Sequence, residues 1–234
     1  MHDAHVHIHQ KELIELMQKE NIPCIANVQN QEQFDFITSF DNIHYSVGLH
    51  PWDAETMNLE DLLPLMQKAD FIGEIGMDNV WCETDLTKQR EIFNAQLDLA
   101  NQLHKPVFLH TKGMEKEIIE CILQYKNTYI VHWFSCMDFL DEYIDYGCWF
   151  TLGPSICFDE AVRQVATKVD LDHLLIESDG LSAIEWCEDH TIELKDYPSY
   201  LKRTIHELAN IRNIDASELE KILDQNFNNL VKRG

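Results

Sequence analysis

Positive charge is scarce in this 234-residue chain: 18 lysines and arginines stand against 41 aspartates and glutamates, a formal net charge of −23. A protein that follows a long phosphate backbone usually carries a basic stripe, so extended nucleic-acid binding is disfavoured. Long apolar runs are also missing. None approaches the roughly 20 residues that span a bilayer, and the chain opens MHDAHVHIHQ, without the charged-then-hydrophobic order of a secretory signal. A cytoplasmic protein with no membrane partner is expected. The seven cysteines (Cys24, Cys82, Cys121, Cys136, Cys148, Cys157, Cys187) are scattered, odd in number and free of any CxxC pair, which suits a reducing compartment. Neither GxGxxG nor GxxxxGK(S/T) occurs, and no linker, repeat or low-complexity tract divides the sequence.

What is present is an alternation. Short apolar runs rich in β-branched and aromatic residues lie near 2–8, 22–28, 43–49, 70–76, 106–110, 128–133, 148–153 and 173–178, separated by segments of helical period. The clearest helix runs from Thr87 to His104, where Ile92, Phe93, Gln96, Leu97, Leu99, Ala100 and Leu103 form a stripe, Thr87 is positioned to cap and Pro106 bars continuation. Eight strand–helix units over 1–234 predict a single-domain α/β fold, a (β/α)8 TIM barrel, with two last helices near 198–212 and 216–223 on its outside.

His5 and His7 form an HxH pair on the first strand, and residues i and i+2 of a strand face the same way, so both imidazoles can reach one ion. Alone, such a pair also fits two surface histidines. Asp3 and the intervening valine favour a buried strand; His2 and His9 are read as surface or supporting residues. Glu74 sits at the end of the fourth strand, His110 ends the fifth, His132 nearly ends the sixth and Asp179 follows the eighth. In a barrel all strand C-termini meet at one face, where catalytic groups converge, so six metal-compatible side chains are brought to one rim. Acidic clusters at Glu55, Glu60 and Asp61, from Asp138 to Asp145 and from Glu185 to Glu193 read as solvated surface.

The segments DAHVHI, GLHPW, GEIGMD, QREIFNAQLDLANQLHKPVFLH, VHWFSC and LLIESD, closed by QNFNNLVKRG, resemble in order the signatures of the TatD-like metal-dependent hydrolases. The resemblance implies an amidohydrolase-related barrel with two divalent ions (Zn, Mg or Mn) and hydrolysis often directed at DNA phosphodiesters. By position it implies His5 and His7 as ligands of a first metal, Glu74 as a bridge, His110 and His132 as ligands of a second, and Asp179 as a first-metal ligand that also handles protons. Glu74, Asp179 and His50 are the catalytic candidates. His50 of GLHPW is read as a substrate contact or as a turn residue before Pro51, while Lys112, Trp52 and Trp133 are candidate substrate-binding residues. Two ions about 3.5–4 Å apart can stabilise both attacking and leaving oxygens of such a displacement.

Departures from the pattern bear on substrate. HTKG puts Lys112 where the family commonly has arginine, giving a point charge without a bidentate fork. Gly180 and Leu181 follow Asp179 where the family usually has a rigid proline turn, and the first strand–helix segment is short. Three readings stay open: a TatD-type phosphodiesterase or DNase acting on DNA ends or short oligonucleotides; a small-molecule amidohydrolase for an ester, lactone or amide; and a non-enzymatic metal-binding protein. A monomer or weak oligomer is expected.

Overall fold

In a computed structural model, which describes residues 1–41 and 43–234, eight parallel strands pair in chain order β1 to β8. They are Asp3–His7, Cys24–Val28, His44–Val47, Phe71–Asp78, Val107–Lys112, Tyr129–Val131, Trp149–Leu152 and Leu174–Ile176, each inside or overlapping one of the eight expected runs. The ladders are consecutive and parallel. The end of β8 meets β1 where the Asp179 amide donates to the His5 carbonyl (3.1 Å) and the Ser178 amide to the Asp3 carboxylate (3.0 Å). A nearly closed (β/α)8 barrel results, as expected for strands that each need a covering helix.

Helices α1 to α8 (Lys11–Lys19, Gln31–Ile37, Leu59–Met66, Leu86–Leu103, Glu115–Ile122, Leu140–Tyr146, Glu160–Lys168 and Leu181–Glu188) alternate with the strands, and α9 (Tyr197–Arg212) and α10 (Ala216–Val231) follow. The expected Thr87 cap is displaced by two residues: α4 starts at Leu86, and Asp85 accepts from the Lys88 amide at 2.9 Å. A carboxylate at that point also meets the partial positive charge of the helix N-terminus. Pro106 lies beyond the end of α4, which His104 closes in the left-handed region.

Period-two alternation divides the barrel interior into two layers. Ile25, Phe71, Phe108, Ile130, Trp149 and Leu175 form an apolar floor. Two positions further along β2, β5, β7 and the β6 and β8 exits stand Asn27, His110, Thr151, His132 and Glu177, all buried and polar. On β4 the register shifts between Ile72 and Ile75, so Glu74 takes the place that strict alternation would give to Gly73. The floor is closed from below by Phe227 and Leu230 of α10. This last helix therefore covers the barrel end and extends to Val231, past the expected 223, where an outer position was expected for it. Its apolar face is what the open end of an interior lined by large aromatics requires.

His2 corrects a second expectation. It is 1% exposed and lies at this floor, stacked on Phe227 (4.8 Å between ring centres) with Nδ1 2.9 Å from Asp224. It faces away from the rim, as a residue at the start of β1 must. Among the described residues, no helix is long and apolar enough to cross a membrane, and all seven cysteines are free thiols.

Candidate functional site

The polar layer opens into a cavity of about 500 Å³ at the C-terminal end of the barrel, lined in part by His7, His50, Glu74, His110, His132 and Asp179. Glu74 is its centre. Its Oε2 lies 3.3 Å from His5 Nε2 and 3.4 Å from His7 Nε2. Its Oε1 lies 2.6 Å from His110 Nδ1 and 3.4 Å from both His50 Nε2 and His132 Nε2. Asp179 Oδ1 is 3.4 Å from the Nε2 atoms of His5 and His7. His5 and His132 are close neighbours, 4.3 Å between ring centres.

Donor atoms within 4.8 Å of one another fall into three groups: His5, His7 and Glu74; His5, His132 and Asp179; His50, Glu74 and His110. His5 Nδ1 and Nε2 and Asp179 Oδ1 are buried without a hydrogen-bond partner. Orphaned buried imidazole and carboxylate atoms facing one another are costly unless something else satisfies them, and a divalent cation fits this donor chemistry.

Two carboxylates and one amide that the sequence reading passed over set the directions of His110, His132 and Glu74. Asp78 Oδ2 lies 2.9 Å from His110 Nε2, so the Nε2 proton is held there and Nδ1 is turned to Glu74. Glu177 Oε2 accepts the Nδ1–H of His132 at 3.0 Å, which aims Nε2 into the cavity. Asn27 donates to Glu74 Oε2 (3.3 Å) and accepts the Glu74 amide (3.0 Å). Such outer partners fix tautomer and ring orientation. The signal for them was a polar residue inside an otherwise apolar strand run, IPCIANV, GEIGMD and LLIESD, which is rarely buried without a partner.

His50, three residues past β3, differs from the other histidines. Its Nδ1 accepts the Trp52 amide at 3.2 Å, so neutral His50 carries its proton on Nε2 and presents a donor to the cavity. Burial lowers its pKa, against the raising influence of Glu74. Two buried glutamines of α4 hold the loops in place. Gln96 accepts from the Leu49 amide (2.7 Å) and donates to its carbonyl (3.1 Å), and Gln89 does the same to Asp78 (2.8 and 2.9 Å). Gln96, read from sequence as part of an apolar stripe, is thus buried for its amide as much as for its stem.

The carboxylates and imidazoles of the site set one another's charge. Burial works against ionisation of Glu74, but the surrounding histidines, His132 and His50 foremost, hold its carboxyl well below the usual range. Asp179 is lowered similarly by His132, His5 and His7 against burial. His110 is buried, yet Asp78 and Glu74 push it up to about 9. His5 is also raised well above its ordinary value, burial being outweighed by Asp179 and Glu74. Without a cation, protons occupy the site.

The turn after Asp179 explains one departure noted in the sequence. Asp179 is held at φ +59° and Gly180 at +94°, and a Cβ on Gly180 would come within 2.8 Å of the His7 carbonyl oxygen. Proline, confined near φ −65°, cannot stand there. Ser178 fastens the turn: its Oγ accepts the Gly180 amide (2.9 Å) and pairs with the Tyr197 hydroxyl (2.9 Å), which donates to Asp3. Of the remaining candidates, Lys112 donates to Ser135, Trp52 is 49% exposed with its indole N–H on Asp78 Oδ2 (2.7 Å), and Trp133 is half-buried beside His132. His9 is exposed on the cavity lip.

A (β/α)8 barrel with a histidine–carboxylate cluster at its C-terminal rim defines a metal-dependent hydrolase. More particularly, the chain belongs to the family described as TatD related DNase, whose profile matches residues 2–232. It is 27% identical to an uncharacterized metal-dependent hydrolase of Methanocaldococcus jannaschii, over 99% of this chain and 96% of that protein. It is 26% identical to the 3'-5' ssDNA/RNA exonuclease TatD of Edwardsiella piscicida, over 80% of this chain and 77% of that one. Among solved structures, the TatD homolog YJJV of Escherichia coli K12 superposes with a TM-score of 0.83 at 20% identity, covering 98% of this chain and 97% of the other.

Proposed function

We propose that the chain is a two-metal phosphodiesterase acting on nucleotide ends, with His5, His7 and Asp179 holding one ion, His110 and His132 a second, and Glu74 both. The observation that carries this reading is the division of Glu74: one oxygen faces His5 and His7, the other faces His110 and His132. A single-metal site needs only one side of the carboxylate. His132 also groups with His5 and Asp179, and its assignment to the second ion rests on its 3.4 Å approach to Glu74 Oε1. The grouping of His50 with Glu74 and His110 is disfavoured by the tautomer of His50, whose Nε2 carries a proton while Nδ1 accepts the Trp52 amide.

Bound divalent ions would supply Lewis acidity and an acidified water near neutral pH. The chain's own groups do the rest. Asp179, partly open to the cavity, is placed to accept the proton of the attacking water, as a carboxylate within reach of the reacting atoms does. His50 Nε2–H donates to a substrate oxygen. Lys112 supplies a positive charge at the cavity wall for a phosphate oxygen. Phosphodiester rather than carboxyester chemistry is favoured by that cation and by the names of relatives such as the Edwardsiella exonuclease.

A small-molecule esterase is the second reading, favoured by the acidic lip residues Asp53 and Asp159 and the net charge of −23. Purified protein supplied in turn with Mg²⁺, Mn²⁺ and Zn²⁺ is offered a 3'-labelled oligonucleotide and a panel of neutral carboxyesters. Degradation of the oligonucleotide, abolished in Glu74→Gln, supports the proposal. Ester turnover with intact DNA under every metal would select the alternative.

A further inference from the structure

One wall of the cavity has no part in the chemistry above. Trp81 follows β4, Trp133 follows β6 and Trp186 lies on α8, yet the three indoles meet edge to face: Trp186 is 6.2 Å from Trp81 and 6.3 Å from Trp133 between ring centres, at 88° and 71°. Trp81 and Trp186 leave 55% and 59% of their surface exposed. Large apolar rings left in water at the mouth of a cavity mark a binding surface.

These rings are tied to the carboxylates that orient the histidines. Asp78 Oδ1 accepts the Trp81 amide at 2.9 Å, and Glu177 Oε1 accepts the Trp133 amide at 3.0 Å. Trp133 is held at φ +39°, a conformation that costs energy in a bulky residue and persists only when its surroundings impose it. Its ring lies across Gly153, where a Cβ would come within 3.2 Å. The aromatic wall and the histidine cluster therefore share two supports.

The polar side of the cavity is sparse in cations. Among the described residues lining it, Lys112 is the single lysine or arginine, against Asp53 and Asp159. A second phosphate would find no further lysine or arginine on this lining, on a chain of net charge −23.

We infer that the cavity binds one aromatic base and one phosphate: the Trp81–Trp133–Trp186 wall takes the base of a single terminal nucleotide and Lys112 its phosphate, so longer chains add no affinity. The inference rests on the phosphodiesterase reading for its choice of ligand. Stacking is sequence-tolerant because every base has a π-face, and about 500 Å³ is within the range of single-ligand pockets.

The test is binding, followed by indole fluorescence with Mg²⁺ present, and needs no turnover. Thymidine 5'-phosphate should bind at least about ten-fold tighter than ribose 5-phosphate, from the usual strength of base–indole stacking. Trp186→Ala should remove most of that difference and Trp186→Phe retain it, while ribose 5-phosphate binds all three proteins alike. Non-hydrolysable phosphorothioate dT2 and dT10 should bind within about two-fold of each other, and log affinity should fall with log salt at a slope of about −0.7, the value for one phosphate contact. Equal affinity for the two monophosphates, absence of nucleotide binding, or a steep salt slope with tighter dT10 binding overturns the inference. Nucleotide binding without cleavage of any phosphodiester would sink the enzymatic proposal alone; cleavage indifferent to the ring and to Trp186→Ala would sink the aromatic wall alone.

Discussion

Asp78 and His110 are joined at 2.9 Å between Oδ2 and Nε2, and the same carboxylate accepts the indole N–H of Trp52 and the backbone amides of Val80 and Trp81. The four bonds hold Asp78 ionised against its burial, its pKa far below the usual carboxylate range. One residue outside the six candidate ligands thus sets the tautomer of His110 and anchors the loop after β4.

Asp78→Asn should consequently weaken one of two metal-binding events by about 10–100-fold, the usual effect of losing a partner that orients a ligand. The other event should be little changed. Calorimetric metal titration of parent and variant measures this directly, and two unaltered affinities would remove Asp78 from the site's support.

Metal affinity should rise with pH. His110, at about 9, and His5, raised well above its ordinary value, are protonated in the metal-free protein at neutral pH. A cation must displace those protons, so affinity gains up to about ten-fold per pH unit for each proton released, until the pH passes about 9. Titration in two buffers of different ionisation enthalpy counts the protons; zero release at pH 7 contradicts the assignment.

Asp3 predicts a pH-dependent stability of its own. Burial pushes its carboxyl up to about 7 despite hydrogen bonds from Ser178 and Tyr197. A folded pKa above the unfolded 3.8 means that stability is full below that value, is lost as pH rises towards 7, and stays lower above it. Asp3→Asn mimics the protonated form, accepting from Ser178 and donating to Tyr197. Its stability relative to the parent should climb between pH 4 and 7, by at most about 4 kcal/mol, and then level off. Urea midpoints at pH 4.5, 6 and 8 report the trend, and a constant difference would count against it.

Gly76→Ala should be among the most damaging small substitutions. A Cβ there would lie 1.9 Å from the His110 carbonyl oxygen, so β4 and β5 must separate where they carry Glu74 and His110. Loss of several kcal/mol in denaturant unfolding is expected, as for other forced overpacking of a core, together with loss of metal binding. A midpoint within experimental error of the parent would show that the strands can yield.

The sequence by itself determined the eight-unit alternation and the strands on or just after which His5, His7, Glu74, His110, His132 and Asp179 stand, because strand period and barrel topology are properties of local pattern. The fourth and fifth strands, expected to end at Glu74 and His110, run on to Asp78 and Lys112 because their ladder continues through the pairs Met77–Thr111 and Asp78–Lys112. It also carried the family resemblance that the profile match bears out. Tertiary structure alone decided the rest. His2 goes to the floor because a strand's first residue lies at the opposite end from its last. Glu74 enters the polar layer only through the register shift on β4, which no alternation rule contains. Asp78, Glu177 and Asn27 act on residues far away in the chain, and Trp81, Trp133 and Trp186 become one wall only when two loops and α8 are folded over the same opening. Pairings of that kind depend on distances between segments, which closure of the barrel creates and local spacing does not encode.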